Sequence, residues 1–372
     1  MDNAEGVESD QDQQVHAYTM TDEIGDEYDT GELIFVSFIS GGNASCYVEH
    51  KRKSVVDTGT VTNISVCDKS TGPVHKQPYF GGFKAISSNE VALKSFTSVS
   101  FQVFALLLSL LPVTTRKINE LSVHDKLLLF LMKMKHGLPF SFLGTLFCVH
   151  GTTASRVFKS VLVNLTTATK NWIYWPSRAA IWRTMPPSFQ VLYPMCRVII
   201  DCTELVTEMP PGIEDRNMWY SQYKGRYTLK YLIGIAPNGV ITFLSDGFGG
   251  RASDATVTVE GKVLSLLEPG DVVLADKGFP GIRTGVGVQR ATLVMPPFAT
   301  CPQFSESDAD ATYETASVRI RVERVIQRLK LFSVLSHRIP YELTGYVDDI
   351  MHVAAVITNL KPGIFARNDA SN

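Results

Sequence analysis

Several patterns are missing from this 372-residue chain, and each absence narrows its function. The six cysteines (Cys46, Cys67, Cys148, Cys196, Cys202 and Cys301) include no Cys-x-x-Cys pair and no Cys/His cluster at zinc spacing. That argues against a zinc module and favours reduced structural thiols in an intracellular protein. No basic segment followed by an apolar core opens the chain, so no secretory leader is expected. The strongest apolar run, Phe101 to Val113, is too short to span a bilayer as a helix and is stopped by Pro112; it reads as a core helix, and no membrane partner is expected. There is no Walker-type phosphate loop, no internal repeat, and no pair among the eight histidines at ligand spacing.

Lys and Arg are absent from the first 32 residues, which hold eleven acids. This leaves 26 acids against all 35 basic residues in the rest, a net charge of about +9. An acidic start with Gln and Ser reads as a disordered tail, and the basic body suits a polyanion. The "HKRK" run, His50 to Lys53, fits nuclear import, although four residues recur by chance.

Residues 1–95 show no sustained period and are expected to be disordered or loosely structured, with a strand at Leu33 to Ile39. A helical region follows over 96–170. In it, "LSVHDKLLLFLMKMKHGLP" opens on Ser122 as N-cap with Asp125 three residues on, and closes at Gly137 before Pro139. A short helix at Ser141 to Phe147 and a third capped by Thr152 or Thr153 make the helix-turn-helix pattern. Thr152, Thr153, Ser155, Arg156 and Lys159 stand near the start of that third helix, where they could reach phosphates and base edges. Many helical hairpins bind nothing, so the pattern alone leaves this open.

A Trp- and Pro-rich linker over 171–195 precedes a change of texture. Over 196–368 the sequence predicts three strands, a helix, two strands and a last helix, with "PNG" at Pro237 to Gly239 marking a hairpin: an α/β domain with a mixed sheet. In it Asp201 and Asp276 each follow a buried apolar strand, and Glu323 lies on the last helix. If the two strands are neighbours, the aspartates lie side by side. Two like charges so close need a proton or cation between them, and hard oxygen donors suit magnesium or manganese. Such a site could perform phosphoryl transfer on nucleic acid. Each aspartate has an ordinary alternative as a turn cap or a lysine's partner, and Glu323, off the apolar stripe beside Arg319 and Lys330, as half of a surface ion pair. Asp254 reads more simply as part of a helix N-cap with Ser253, and Glu204 as a solvated loop carboxylate.

At these residues the chain resembles the DDE transposases of the Harbinger/PIF-like superfamily, in particular the eukaryotic branch often fused to a THAP zinc finger. The resemblance is carried by "RVIIDCTEL", "YSQYKGRYTLKYLIGIAPNGVITFLSDGFGGRASD", "GDVVLADKGFPGI" and "ASVRIRVERVIQRLKLF" in that order, and by the preceding helix-turn-helix. It implies an RNase H-like, five-stranded mixed sheet with flanking helices behind a small all-α helix-turn-helix domain. It also implies an Asp201, Asp276 and Glu323 triad holding two magnesium (or manganese) ions, and DNA cleavage and strand transfer at element ends. Further implications are DNA partners (terminal inverted repeats and target), a homo-oligomer, a separate DNA-binding accessory protein and a nuclear location. Lys224, Arg226, Lys230, Arg319, Arg321 and Arg324, with Arg328 and Lys330, would face phosphate. The zinc set of the THAP finger is missing, so a relic or domesticated DNA-binding protein without catalysis stays open beside the enzyme.

Overall fold

The computed structural model describes residues 16–20, 32–40, 43–51, 80–112, 121–295 and 320–363, the first three groups as strands only. Arg52 and Lys53, Cys67, Cys301, the acidic loop Ser305 to Glu314, Val318 and Arg319 lie outside the described residues. The chain divides into two compact units, Met1–Thr71 and Gly72–Asn372.

In the first unit, β1 (His16–Met20), β2 (Glu32–Ser40) and β3 (Asn43–Lys51) form an antiparallel sheet in the order β1-β2-β3. The strand expected at Leu33 to Ile39 falls inside β2; the other two lie in a stretch where no sustained period was legible.

The second unit starts with helices, and they begin at Gly82, ahead of the boundary drawn near residue 95. These are α1 (Gly82–Ile86), α2 (Glu90–Thr97), α3 (Phe101–Ser109), α4 (Val123–His136), α5 (Phe140–Leu146) and α6 (Gly151–Thr169). Ser122 caps α4 by accepting from the Asp125 amide at 3.1 Å, while Asp125 reaches back to the Phe83 amide at 2.8 Å, so one cap also fixes α1. Every residue from Leu127 to Met134 is buried, which makes α4 the central helix of this half rather than a one-sided one. Even Lys133 is enclosed; its ammonium donates to the Leu138 carbonyl at 2.7 Å and lies over the Phe140 ring.

The linker contributes α7 (Arg178–Thr184) and α8 (Pro187–Leu192). Then come β4 (Cys196–Val206), α9 (Ile213–Trp219), β5 (Tyr220–Ser221), β6 (Arg226–Ile235), β7 (Ile241–Leu244), β8 (Phe248–Gly249), α10 (Asp254–Glu260), β9 (Val272–Ala275), α11 (Arg283–Val288) and β10 (Thr292–Val294). The chain closes with α12 over residues 320–330, α13 (Ser333–Ser336) and α14 (Val347–Leu360).

The sheet runs β10-β9-β4-β6-β5, with β7 and β8 also paired to β6. Since β5, β8 and β7 take successive stretches of β6, the seven strands fill five positions, the width expected of the RNase H-like sheet. β10, β9 and β4 are mutually parallel and β6 is antiparallel to β4, so the sheet is mixed. Both faces of the central strands are covered, which is why they read as unbroken apolar runs. Val198, Ile200, Leu232, Val273 and Phe279 face a smaller cluster with Val257 of α10 and Val286 of α11. Ile199, Leu205, Tyr231 and Ile233 belong to a larger core with α12, α14 and the helices α4 and α6. The helical and α/β halves therefore share one core; His352 of α14 lies 3.1 Å from both the hydroxyl and the carbonyl of Thr169 on α6. The linker is bound too, because Arg178 donates to Asp271 at 2.8 Å and the buried Arg197, stacked on Trp175, faces the same carboxylate. Among the described residues Cys148, Cys196 and Cys202 are free thiols, and no single helix is long and apolar enough to cross a membrane.

Candidate carboxylate site and nucleic-acid interface

Parallel pairing sets Ile199 opposite Leu274 and Ile200 opposite Ala275. The next residues are Asp201 and Asp276, so the two aspartates sit side by side where β9 ends. β9 stops because Phe279, fully buried, pulls the chain into a turn in which its amide donates to the Asp276 carbonyl at 3.2 Å. β4, however, does not end at Asp201. It runs on to Val206 against β6, from Asp201 opposite Ile233 to Val206 opposite Thr228. Asp201 is thus held on a strand that keeps one neighbour after losing the other, and its carboxylate accepts from the Cys202 amide at 2.8 Å.

Asp201 lines a cleft of about 630 Å³, and so does Glu323 of α12. Val322, Val325, Ile326 and Leu329 bury the inner stripe of that helix, and Glu323, at its edge, faces the cleft. Glu204 and Asp254 line it as well, and here the structure adds what the sequence could not show. Lys230 of β6, only 8% exposed, reaches Asp254 at 3.0 Å, the Ala252 carbonyl at 2.8 Å and Glu204 at 3.5 Å. Burial alone would lower its pKa, but the Asp254 hydrogen bond and the two carboxylate charges raise it above the ordinary value. Glu204 also accepts from the Thr228 hydroxyl at 2.8 Å. Glu204 is thus a strand residue in an ion-paired network rather than a solvated loop group. Asp254 sits at the first position of α10 behind its cap, Ser253, whose hydroxyl accepts from the Thr256 amide. A Cβ on Gly278 would come within 3.1 Å of Asp254, so the glycine of "DKGF" lets β9 and α10 meet.

A second ammonium enters from α12. Lys330 has a lowered pKa, chiefly from burial and then from Lys224, while Asp201 and Glu204 act to raise it. The same surroundings push the Cys202 thiol far above its usual range, by burial first and then by Asp254 and Asp201. The carboxylate cleft thus carries its own cations. Among the described residues no three His, Cys, Asp or Glu side chains converge closely enough to hold a metal ion in this arrangement.

The remaining basic candidates divide. Lys224 lines the cleft and Arg226 is exposed at the start of β6. Arg324 is exposed on α12, whereas Arg321 donates to Ser188 and stacks on Phe189, and Arg328 donates to the Pro362 carbonyl at 2.7 Å. Lys230, held as above, is a structural tie rather than an available phosphate contact.

In the helical half, α5 and α6 are joined so tightly that a Cβ on Gly144 would stand 2.6 Å from the Val149 carbonyl. The cap of α6 is His150, whose ring nitrogen accepts from the Thr152 amide at 3.3 Å, and not Thr152 or Thr153. Those threonines fall instead in the exposed first turn, with Ser155 half-buried beside them. Thr153 and Arg156 line a groove of about 280 Å³ with Lys126 of α4, which the sequence reading missed. Lys159 lies over the Tyr346 ring, turned toward the α/β half.

Together these features define a class: a mixed-sheet α/β domain with aspartates at neighbouring positions on adjacent parallel strands, joined to a helix-turn-helix. Comparison with known families agrees. Residues 200–359 match the family model described as DDE superfamily endonuclease, and residues 119–171 match the helix-turn-helix of DDE superfamily endonuclease. The chain carries that endonuclease domain behind its own helix-turn-helix, the domain order of a transposase-like nuclease. No curated protein and no solved structure matches it.

Proposed function

We propose that the protein is a Harbinger/PIF-like transposase, a divalent-metal-dependent nuclease that cuts and joins DNA in the nucleus, with Asp201, Asp276 and Glu323 as its catalytic carboxylates. The observation that carries this reading is the parallel pairing of Ile200 with Ala275, which makes Asp276 the strand neighbour of Asp201, and Asp201 lines the same cleft as Glu323. Carboxylates are hard oxygen donors, the kind that magnesium or manganese takes. When bound, such ions would activate the attacking water and stabilise the leaving oxygen of a phosphodiester. On this reading the strands would fix two of the ligands on rigid backbone, and α12 would bring the third. Lys224 and Lys330 would receive phosphate at the cleft, while Arg156 and the threonines of α6 would hold the flanking duplex. Transposon ends and target DNA are then the substrates, and a homo-oligomer with an accessory DNA-binding protein would bring the ends together. Magnesium-dependent nicking of DNA bearing the element's inverted repeats tests this; equal nicking by the wild type and Asp276→Asn would refute it.

The ammonium groups in the cleft favour a second reading, in which the domain binds DNA without cutting it. Lys230 already pairs with Glu204 and Asp254 there, and Lys330 lines the same cleft. Binding of inverted-repeat DNA that magnesium never turns into cleavage would select this reading.

A further inference from the structure

We propose that Tyr223 is a stacking platform for a DNA base splayed out of the duplex beside the carboxylate cleft; this rests on the nucleic-acid reading above. Tyr223 is 85% exposed, yet it lines the cleft that holds Asp201 and Glu323. It adds little to the core, so its ring is presented rather than packed. The presentation is firm. Tyr223 sits at the tip of the β5–β6 hairpin, whose strands pair Tyr220 with Tyr227 and Ser221 with Arg226. The turn is closed by the Gly225 amide donating to the Ser221 carbonyl at 2.9 Å and the Lys224 amide donating to the Ser221 hydroxyl at 3.2 Å. Gly225 has φ +61°, a conformation that favours glycine, and the Tyr220 and Tyr227 rings meet edge to face at 5.6 Å.

The chemistry around the ring selects the occupant. The Lys224 ammonium stands 4.8 Å from the ring centroid, covering one face. Lys224 and Lys330 line the same cleft as Asp201 and Glu323, so this tip reaches the carboxylate side of the cleft. An aromatic face beside two ammonium groups suits a flat base attached to a phosphate. A base inside a duplex is stacked on its neighbours and cannot lie on a side chain, so the base at Tyr223 must have left the stack, as it does where enzymes work on single nucleotides. Stacking tolerates any base, so the role needs no sequence readout at this position.

The test uses the full chain and a duplex with an unpaired 3′ tail carrying 2-aminopurine, with calcium replacing magnesium. The wild type should quench the fluorophore on binding. Tyr223→Trp should keep the quench, whereas Tyr223→Ala should lose it and bind the tailed duplex roughly tenfold more weakly, with blunt-duplex binding unchanged. No quench by the wild type, an undiminished quench by Tyr223→Ala, or an equal loss of tailed and blunt affinity would each overturn the proposal. Quenching by a wild type that never nicks DNA in magnesium would sink the nuclease reading while leaving Tyr223 in its role.

Discussion

Ile200 and Ala275 are paired across two parallel strands, so Asp201 and Asp276, one residue further along each, are brought together by backbone hydrogen bonding rather than by a flexible loop. Positioning of this kind survives substitution of the side chains, which makes the site open to mutation without loss of the fold.

The Lys230 network should behave differently. Lys230→Met removes the cation between Glu204 and Asp254, whose side chains are 10% and 32% exposed. Stranding partly buried carboxylates should cost about 3 kcal/mol, near the lower end for a broken buried pair. Urea denaturation measures it, and a change within about 0.5 kcal/mol, the usual range for a surface substitution, would show that the network is only surface decoration.

The linker is held by one acid. Asp271 is 1% exposed and faces both Arg178 and Arg197, and two nitrogens of Arg197 already lack a hydrogen-bond partner. Asp271→Asn should therefore destabilise the protein by about 3–5 kcal/mol and loosen α7. Limited proteolysis within residues 171–195, compared with the wild type, reports that loosening.

The contribution of Lys361 to stability should rise with pH from about 8 upward. Burial, with Arg328 and Lys135 nearby, lowers the Lys361 pKa to about 8. The folded state then sheds this proton near pH 8, whereas the unfolded chain keeps it until the ordinary lysine range, so unfolding takes up a proton at Lys361 between those values and the contribution of this residue climbs there. Lys361 also donates to Ser98 and lies over Phe332. Lys361→Met keeps the aliphatic stem and removes the charge. Its stability relative to the wild type should be greatest near pH 7 and decline toward pH 10; a pH-independent difference would assign the effect to packing instead.

Arg156 and Lys159, three residues apart on α6, should separate in DNA binding. Arg156 is exposed at the groove with Lys126, while Lys159 is engaged with Tyr346. Arg156→Ala should lower the salt slope of binding by about one unit and Lys159→Ala by clearly less. Equal slopes would place both on the DNA.

Much of this was legible in the sequence because the signals were local. The runs "VII" and "VVLA" could only be strands covered on both faces, "PNG" marked the β6–β7 turn, and Ser122 with Gly137 bounded α4. What was missed depended on distant partners. The polar "DCTE" looked like a strand exit because its continuation is dictated by β6, and Lys230 looked like a surface cation because Glu204 and Asp254 lie more than twenty residues away on either side. His150 escaped notice as a cap because Thr152 and Thr153, commoner capping types, stood beside it. Tyr223 carried no periodic signal at all, since its position matters only once the hairpin reaches the cleft.

The central claim is tested most directly by magnesium-dependent nicking of DNA bearing the element's inverted repeats, with the wild type, Asp201→Asn, Asp276→Asn and Glu323→Gln assayed side by side. Nicking by the wild type, with each variant folded and slower by ~100-fold or more, is the predicted result, since each ligand supports several kcal/mol of transition-state stabilisation. A folded variant that nicks at the wild-type rate would contradict it.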